Sequence, residues 1–237
     1  MKVVGIIGGM GPQATVDFVH KLVSLTPAKK DQEHLKMMII MNPQIPDRTD
    51  AILNKKESPV PEIVKSAKML EQVGVDFIVI PCVTAHVWLK EIEDVIQTPL
   101  LSLLDVTFKR VKKKGRSVKN IGMLTTTGTI KAKIFDNIFC REGYSVIYPS
   151  ETAQQRFVMK GIYRIKMGEE PRGLKPYFAR ASEGLVRKGA QMIIAACTEI
   201  PLSITQADIA VPLLDVNQVL AEATVSAALH ETPWASP

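Results

Sequence analysis

The chain has 237 residues, a formal net charge of +6, 46% hydrophobic and 23% charged residues, the balance of a soluble globular protein with room for one large or two small domains. A chain of this length buries enough apolar surface to fold without disulfides, and no apolar run reaches the roughly 18 residues of a membrane span. Glycines break the N-terminal run before it attains signal-peptide length, and three cysteines, Cys82, Cys140 and Cys197, form an odd, sparse set that fits a reducing cytoplasm.

VVGIIGG (3–9) is a short β-branched run closed by glycines, read as a buried strand and tight turn. ATVDFVHKLVSL follows with helical spacing. KMMIIMN (36–42) is a second strand that ends in the Pro- and Asp-rich loop NPQIPDRTD. SPVPEIVKSAKMLEQVG is a helix with Ser58 as cap and Gly74 as stop. DFIVIPC is a third strand and PLLSLLD (99–105) a fourth. KRVKKKGR (109–116) is the solvated end of a surface helix stopped by Gly115, with cations near its C-terminus. No aromatics interleave with these cations, which argues against a nucleic-acid surface; a mildly basic surface instead favours small anionic substrates. Strands alternating with helices predict a parallel α/β sheet.

The pattern then repeats. VGIIGGMG (4–11) aligns with IGMLTTTG (121–128), placing Gly5 on Gly122 and Gly11 on Gly128. LEQVGVDFIVIPC (70–82) aligns with LVRKGAQMIIAAC (185–197), and TPLLS (98–102) with VPLLD (211–215). Three collinear anchors indicate duplication of one α/β unit, too long a period for a solenoid. The expected architecture is therefore α/β with two pseudo-symmetric domains, each a parallel sheet flanked by helices, and a site in the cleft between them.

Each unit delivers a cysteine to the carboxyl end of the same strand, where sites form in parallel sheets. A lone strand-end cysteine is commonly a small buried hydrophobe; two at equivalent positions of a duplicated unit point to chemistry. Each precedes a hydroxyl, in CVT (82–84) and CTE (197–199), where a helix is expected to begin and lower the thiol pKa. Cys140, in NIFCREGY, is read as a structural mid-helix residue. A redox pair would ordinarily use C-x-x-C, which is absent, and zinc would want more closely spaced Cys or His than the single neighbour His86. Acid/base chemistry remains, with one thiolate removing a proton from carbon and a thiol on the opposite face donating one. Pseudo-symmetric placement suits a nearly mirror-symmetric reaction, and racemisation is such a reaction. G-x-G-x-x-A at 9–14 formally fits a dinucleotide fingerprint, but the second strand ends in Asn42-Pro43 and not in the acidic residue a ribose requires.

GIIGGMGPQAT (5–15), TPAKKDQEH (26–34), NPQIPDRTDAIL (42–53), PCVTAH (81–86), LTTTGT (124–129), GIYRIKMG (161–168) and ACTEIPL (196–202) resemble, in order and over essentially the whole chain, the aspartate/glutamate racemase family, most closely its aspartate racemases. The resemblance implies two α/β domains facing a shared cleft, a homodimer, a small acidic amino-acid substrate, and racemisation without pyridoxal phosphate, metal or other cofactor. It implies Cys82 and Cys197 as the acid/base pair, Arg48 as the residue recognising the side-chain carboxylate, and Lys166 in a similar role. Thr84, Thr198 and the turn Thr126, Thr127, Gly128, Thr129 match the groups that hold the α-carboxylate and amino group, Glu199 matches a polarising acid, and Met10 and Gln44 join the substrate-binding set. The domains expected are 1–98 with 212–237, and 99–211. Two positions depart from the family pattern. Val83 stands where an asparagine touches the substrate's α-substituents, and loss of that hydrogen bond costs about 1–3 kcal/mol if a buried partner is stranded. Ala196 replaces a glycine. Glutamate or another acidic substrate, and a non-catalytic amino-acid-binding role, stand as alternatives; His86 is either oriented towards Cys82 or a plain helix residue.

Overall fold

The computed structural model describes residues 1–113 and 118–229. The expected helix stop at Gly115 and the end of the expected first domain, residues 230–237, lie outside the described residues. The first unit runs β1 (Val4–Gly8), α1 (Pro12–Leu25), β2 (Met37–Met41), α2 (Arg48–Asn54), α3 (Val60–Gln72), β3 (Phe77–Val79), α4 (Leu89–Glu93), β4 (Leu100–Leu101) and α5 (Leu103–Lys113). The second runs β5 (Asn120–Leu124), α6 (Thr127–Ala132), α7 (Ile134–Phe139), β6 (Ser145–Ile147), α8 (Glu151–Ala153), a π-helical segment (Gln154–Met159), α9 (Lys160–Lys166), α10 (Lys175–Arg187), β7 (Met192–Ala195), β8 (Leu213–Asp215) and α11 (Val216–Leu229).

The described strands form two parallel sheets of identical order, β2-β1-β3-β4 and β6-β5-β7-β8. Duplication is visible down to individual contacts. A methyl added at Gly5 would meet Leu70, Val75 and Ile78; one added at Gly122 would meet Leu185, Ala190 and Ile193, the same three positions of the second unit. Both glycines let a helix lie close on its sheet. Gly122→Ala would place its Cβ 2.5 Å from Ile193 Cδ1, and overpacking of this kind costs about 1–3 kcal/mol; urea denaturation is expected to show that loss. Gly74 and Gly189, also equivalent, end α3 and α10 with φ of 74° and 90°, as expected of helix-terminating glycines.

Side chains alternate between two burial environments along each strand. Val4 and Ile6 of β1, with Met192 and Ile194 of β7, enter a core common to both units, which Phe18, Phe135, Phe139 and Leu220 complete. Ile7 and Ile78 pack towards α3, and Ile193 and Ala195 towards α10. The two sheets are thus joined through a shared core, while their carboxyl ends open on the same side.

The expected domain boundaries fall one strand early. Leu100–Leu101 pairs with β3, and Leu213–Asp215 pairs with β7, so each strand stays with its own sheet. The chain crosses only afterwards: α5 packs on α7 and α11, and α11 packs on α1 of the first unit. PLLSLLD is strand only at Leu100–Leu101, and α5 already starts at Leu103, where Asp105 N–H bonds Ser102 Oγ at 3.2 Å. A short apolar run looks alike as buried strand or buried helix. Ser58, expected to cap α3, stands one residue before the N-cap position, which Pro59 occupies without a side-chain bond; Ser58 Oγ accepts from Val60 N–H at 3.3 Å. No described helix is long and apolar enough to cross a membrane.

Candidate active site

β3 and β7 carry the two cysteines to one place. Cys82 follows the Ile80–Pro81 turn, in which its N–H bonds Ile80 O at 2.7 Å. Cys197 follows Ala196 in the matching loop, and Thr198 Oγ1 donates across to Pro81 O at 3.4 Å. Both cysteines are buried free thiols and line a single cavity of about 20 Å³ between the units. That is room for about one water, which needs roughly 10–15 Å³. A larger recess of about 480 Å³ beside β4 is lined by neither cysteine.

Arg48 opens α2, whose first turn is capped by Asp47 accepting from Asp50 N–H at 2.8 Å. Arg48 is 7% exposed, and its guanidinium is held in a cradle of main-chain carbonyls: Nη1 donates to Ile45 O and Pro46 O at 3.1 and 2.9 Å, and Nη2 to Met10 O at 3.1 Å. A guanidinium has five N–H groups. The cradle uses three, and Nε–H is buried with no partner. Nε–H and the remaining Nη2–H form the side-on fork that a carboxylate accepts in bidentate fashion.

Opposite stands a second polar group built on Glu199. Its Oε1 accepts from Gly11 N–H at 3.1 Å and pairs with Lys166 Nζ at 3.3 Å, while Oε2 accepts from the Cys197 thiol at 3.0 Å and from Thr198 Oγ1 at 3.4 Å. Lys166 also reaches Met10 O at 3.5 Å. Burial alone would raise the Glu199 pKa, but Lys166 and the Cys197 thiol outweigh it and hold the carboxyl below its ordinary range. Burial opposes the charge of Lys166 as well, and Glu199 overcomes it, so the ammonium pKa rises. Burial, then the Glu199 charge, push the Cys197 thiol well up. This reverses the expected helix-terminus effect at Cys197: the turn that follows is a single 3₁₀ turn, Ile200–Leu202, too slight a dipole to offset burial beside a carboxylate. Glu199→Gln removes the charge and should lower the Cys197 pKa, read as thiolate absorbance appearing at lower pH than in the wild type.

Thr84 links the units through hydroxyls. Its Oγ1 lies 3.0 Å from both Thr126 Oγ1 and Thr129 Oγ1, which are 3.0 Å from each other, and Thr126 caps α6 by accepting from Thr129 N–H at 3.1 Å. Met10, Val83, Thr84, Thr126 and Thr198 line the cavity, with Arg48, Lys166 and Glu199. Gln44 and Thr127 do not. Gln44 is exposed on the loop after β2, and Thr127 Oγ1 turns to Gln154 and Gln155 at 3.4 and 3.3 Å because it lies beyond the Thr126 cap, on the outer side of the turn. Cys140 is exposed at the end of α7 and is not a packed mid-helix residue. Asp47, Thr49, Met159, Ile162 and Tyr163 line the cavity without having been singled out; the i, i+3 and i+4 relation of Met159, Ile162, Tyr163 and Lys166 was the available signal. Tyr163 OH reaches Asp47 Oδ1 across the cleft at 3.3 Å, and burial with the Asp47 charge pushes its pKa up to about 12. No group of three or more His, Cys, Asp or Glu suited to a metal occurs among the described residues.

Residues 7–224 match the model of the Asp/Glu/hydantoin racemase family. The structure of an aspartate racemase from Picrophilus torridus is 35% identical and superposes with a TM-score of 0.87, covering 96% of this chain and 94% of that one. The broad-specificity amino-acid racemase RacX of Bacillus subtilis is 30% identical over 227 residues, 94% of this chain and 96% of its own length. Glutamate racemase from Francisella tularensis, solved with D-glutamate, shares the fold with a TM-score of 0.70 at 16% identity, over 98% of this chain and 84% of its own. With two thiols brought from equivalent strands to one cleft, the chain is an enzyme of the isomerase class and belongs to the Asp/Glu/hydantoin racemase family.

Proposed function

We propose that the protein interconverts L- and D-aspartate by proton transfer at Cα between two cysteines, without a cofactor, as a cytoplasmic homodimer. The observation that carries the dicarboxylate substrate is the buried Arg48 fork, with Nε–H unpaired beside the Lys166 ammonium. One carboxylate of the substrate takes this fork, and the cationic surroundings offset the charge that develops when the weakly acidic α-proton leaves. The thiolate of one cysteine removes the proton and the thiol of the other supplies one to the opposite face. Cys197, hydrogen-bonded to Glu199 as a thiol, is suited to donate. Cys82 then serves as the base, and the roles exchange in the reverse direction.

A second reading widens the substrate. Val83, Met159 and Ile162 give the cavity an apolar wall, and the Bacillus subtilis relative is named for broad specificity. Glutamate or another amino acid would then also be turned over. Incubation with L-aspartate in D₂O, followed by chiral chromatography and mass analysis, tests the first reading: D-aspartate carrying deuterium at Cα is expected. Comparable turnover of other amino acids in a parallel panel would favour the second. In that case Val83→Asn should raise turnover of all these substrates together, because the polar contact it restores is to the α-substituents they share.

A further inference from the structure

We propose that His86 is a positioning residue that fixes the backbone of Cys82 to the segment where the chain crosses from the first sheet into the shared core. The inference rests on the two-cysteine reading above.

His86 lies in the 3₁₀ turn Thr84–Trp88 that follows Cys82, and it is buried. Leu103 N–H, which can only donate, bonds Nε2 at 3.1 Å. Nε2 is therefore the lone-pair nitrogen, the proton sits on Nδ1, and Nδ1–H donates to Cys82 O at 2.9 Å. Burial outweighs the Cys82 carbonyl bond and the Asp105 charge and pulls the His86 pKa down to about 4, so the neutral ring these bonds require persists through the ordinary pH range. Both partners of the ring are main-chain groups. One belongs to Cys82; the other is the first residue of α5, directly after β4.

This brace matters because the Lys166 ammonium acts on Cys82 only through its charge, which does not fix a direction for the thiol. Among the described residues the Cys82 thiol has no hydrogen-bond partner, whereas the Cys197 thiol is held by Glu199. The direction of Cys82 Sγ then follows from the peptide that carries it. That peptide is tied at its N–H by Ile80 O and at its carbonyl by His86. The second unit has no such ring: Pro201 occupies the equivalent position, 115 residues on. The two cysteines thus differ in one respect: the Cys197 carbonyl accepts from Ile200 N–H at 3.0 Å and its thiol is in addition held by Glu199, whereas Cys82 is held through its backbone, with the His86 ring at its carbonyl.

The test compares His86→Asn, His86→Gln and His86→Ala. Asparagine keeps a donor near the Nδ1 position for Cys82 O but does not reach Leu103. Glutamine offers an acceptor near Nε2 but not the Cys82 bond. Steady-state racemisation of aspartate, iodoacetamide labelling of each cysteine followed by peptide mass analysis, and thermal melting are measured together. In His86→Ala and His86→Gln, kcat is expected to fall roughly tenfold to a hundredfold with KM nearly unchanged, the scale of a small misplacement of a reacting group. The labelling rate of Cys82 should change while that of Cys197 does not, and His86→Asn should recover part of kcat. Unchanged kcat and Cys82 labelling in His86→Ala would overturn the proposal. So would equal changes at both cysteines in step with lowered melting, which mark a purely structural role. If the wild type does not racemise aspartate, the functional reading fails, and the labelling comparison decides the positioning role by itself.

Discussion

Replacing either Cys82 or Cys197 by alanine is expected to lower racemisation by about 10²–10⁴-fold, the range that general acid–base catalysis contributes. The two thiols line one cavity from opposite units, and each is the group on its side suited to exchange a proton with carbon. In the proposed two-cysteine transfer, losing either would remove both the base for one enantiomer and the acid for the other, so conversion should fail in both directions with each variant. Chiral chromatography from L-aspartate and from D-aspartate separately provides the measurement. Cys197→Ala deprives Glu199 of its thiol donor but leaves it Lys166 and Gly11 N–H, so the variant should fold. A Cys197→Ala enzyme that still interconverts both enantiomers near the wild-type rate would rule out two-cysteine transfer.

Arg48 should show the second large effect. Hydrogen bonds to charged groups contribute about 1.5–3 kcal/mol, so Arg48→Ala is expected to lower kcat/KM for aspartate by roughly 10–100-fold. The same change removes the guanidinium from the carbonyls of Ile45, Pro46 and Met10; Met10 O keeps Lys166 and Pro46 O is partly exposed, so Ile45 O is the acceptor left stranded, at a cost of about 1–3 kcal/mol. Stability should therefore drop along with activity. Arg48→Lys separates the two contributions. It keeps a positive charge but has no planar fork and cannot serve three carbonyls and a carboxylate together. Kinetics with aspartate and denaturation of the same preparations give both readouts; full kcat/KM in Arg48→Lys would exclude bidentate recognition.

The residues differ in how far the sequence reveals them. Cys82 and Cys197 are legible because duplication puts each at the end of an equivalent strand, and strand direction in a parallel sheet dictates which end faces the cleft. Gly5 and Gly122 are legible for the same reason, and their matched neighbours show that the repeat extends to packing. Arg48 and Lys166 come from a family resemblance, since a loop arginine and a helical lysine carry no periodic signal of their own. Gln44 and Thr127 lie in the right motifs yet face away, because a position within a turn does not fix the direction of its side chain. Tyr163 and Asp47 meet across the cleft from segments far apart in the chain, a relation that local pattern cannot express.

What the sequence determined by itself was the alternation of strands and helices, the duplicated unit and the strand ends that carry the thiols, because these depend on hydrophobic period and chain order. The tertiary structure decided where each unit ends, since β4 and β8 complete their own sheets before the chain crosses. It also decided the charge states within the site. The Cys197 thiol, the Glu199 carboxylate and the Lys166 ammonium owe their protonation to burial and to partners from separate elements, and desolvation and Coulomb interaction depend on distances in space that the order of residues does not record.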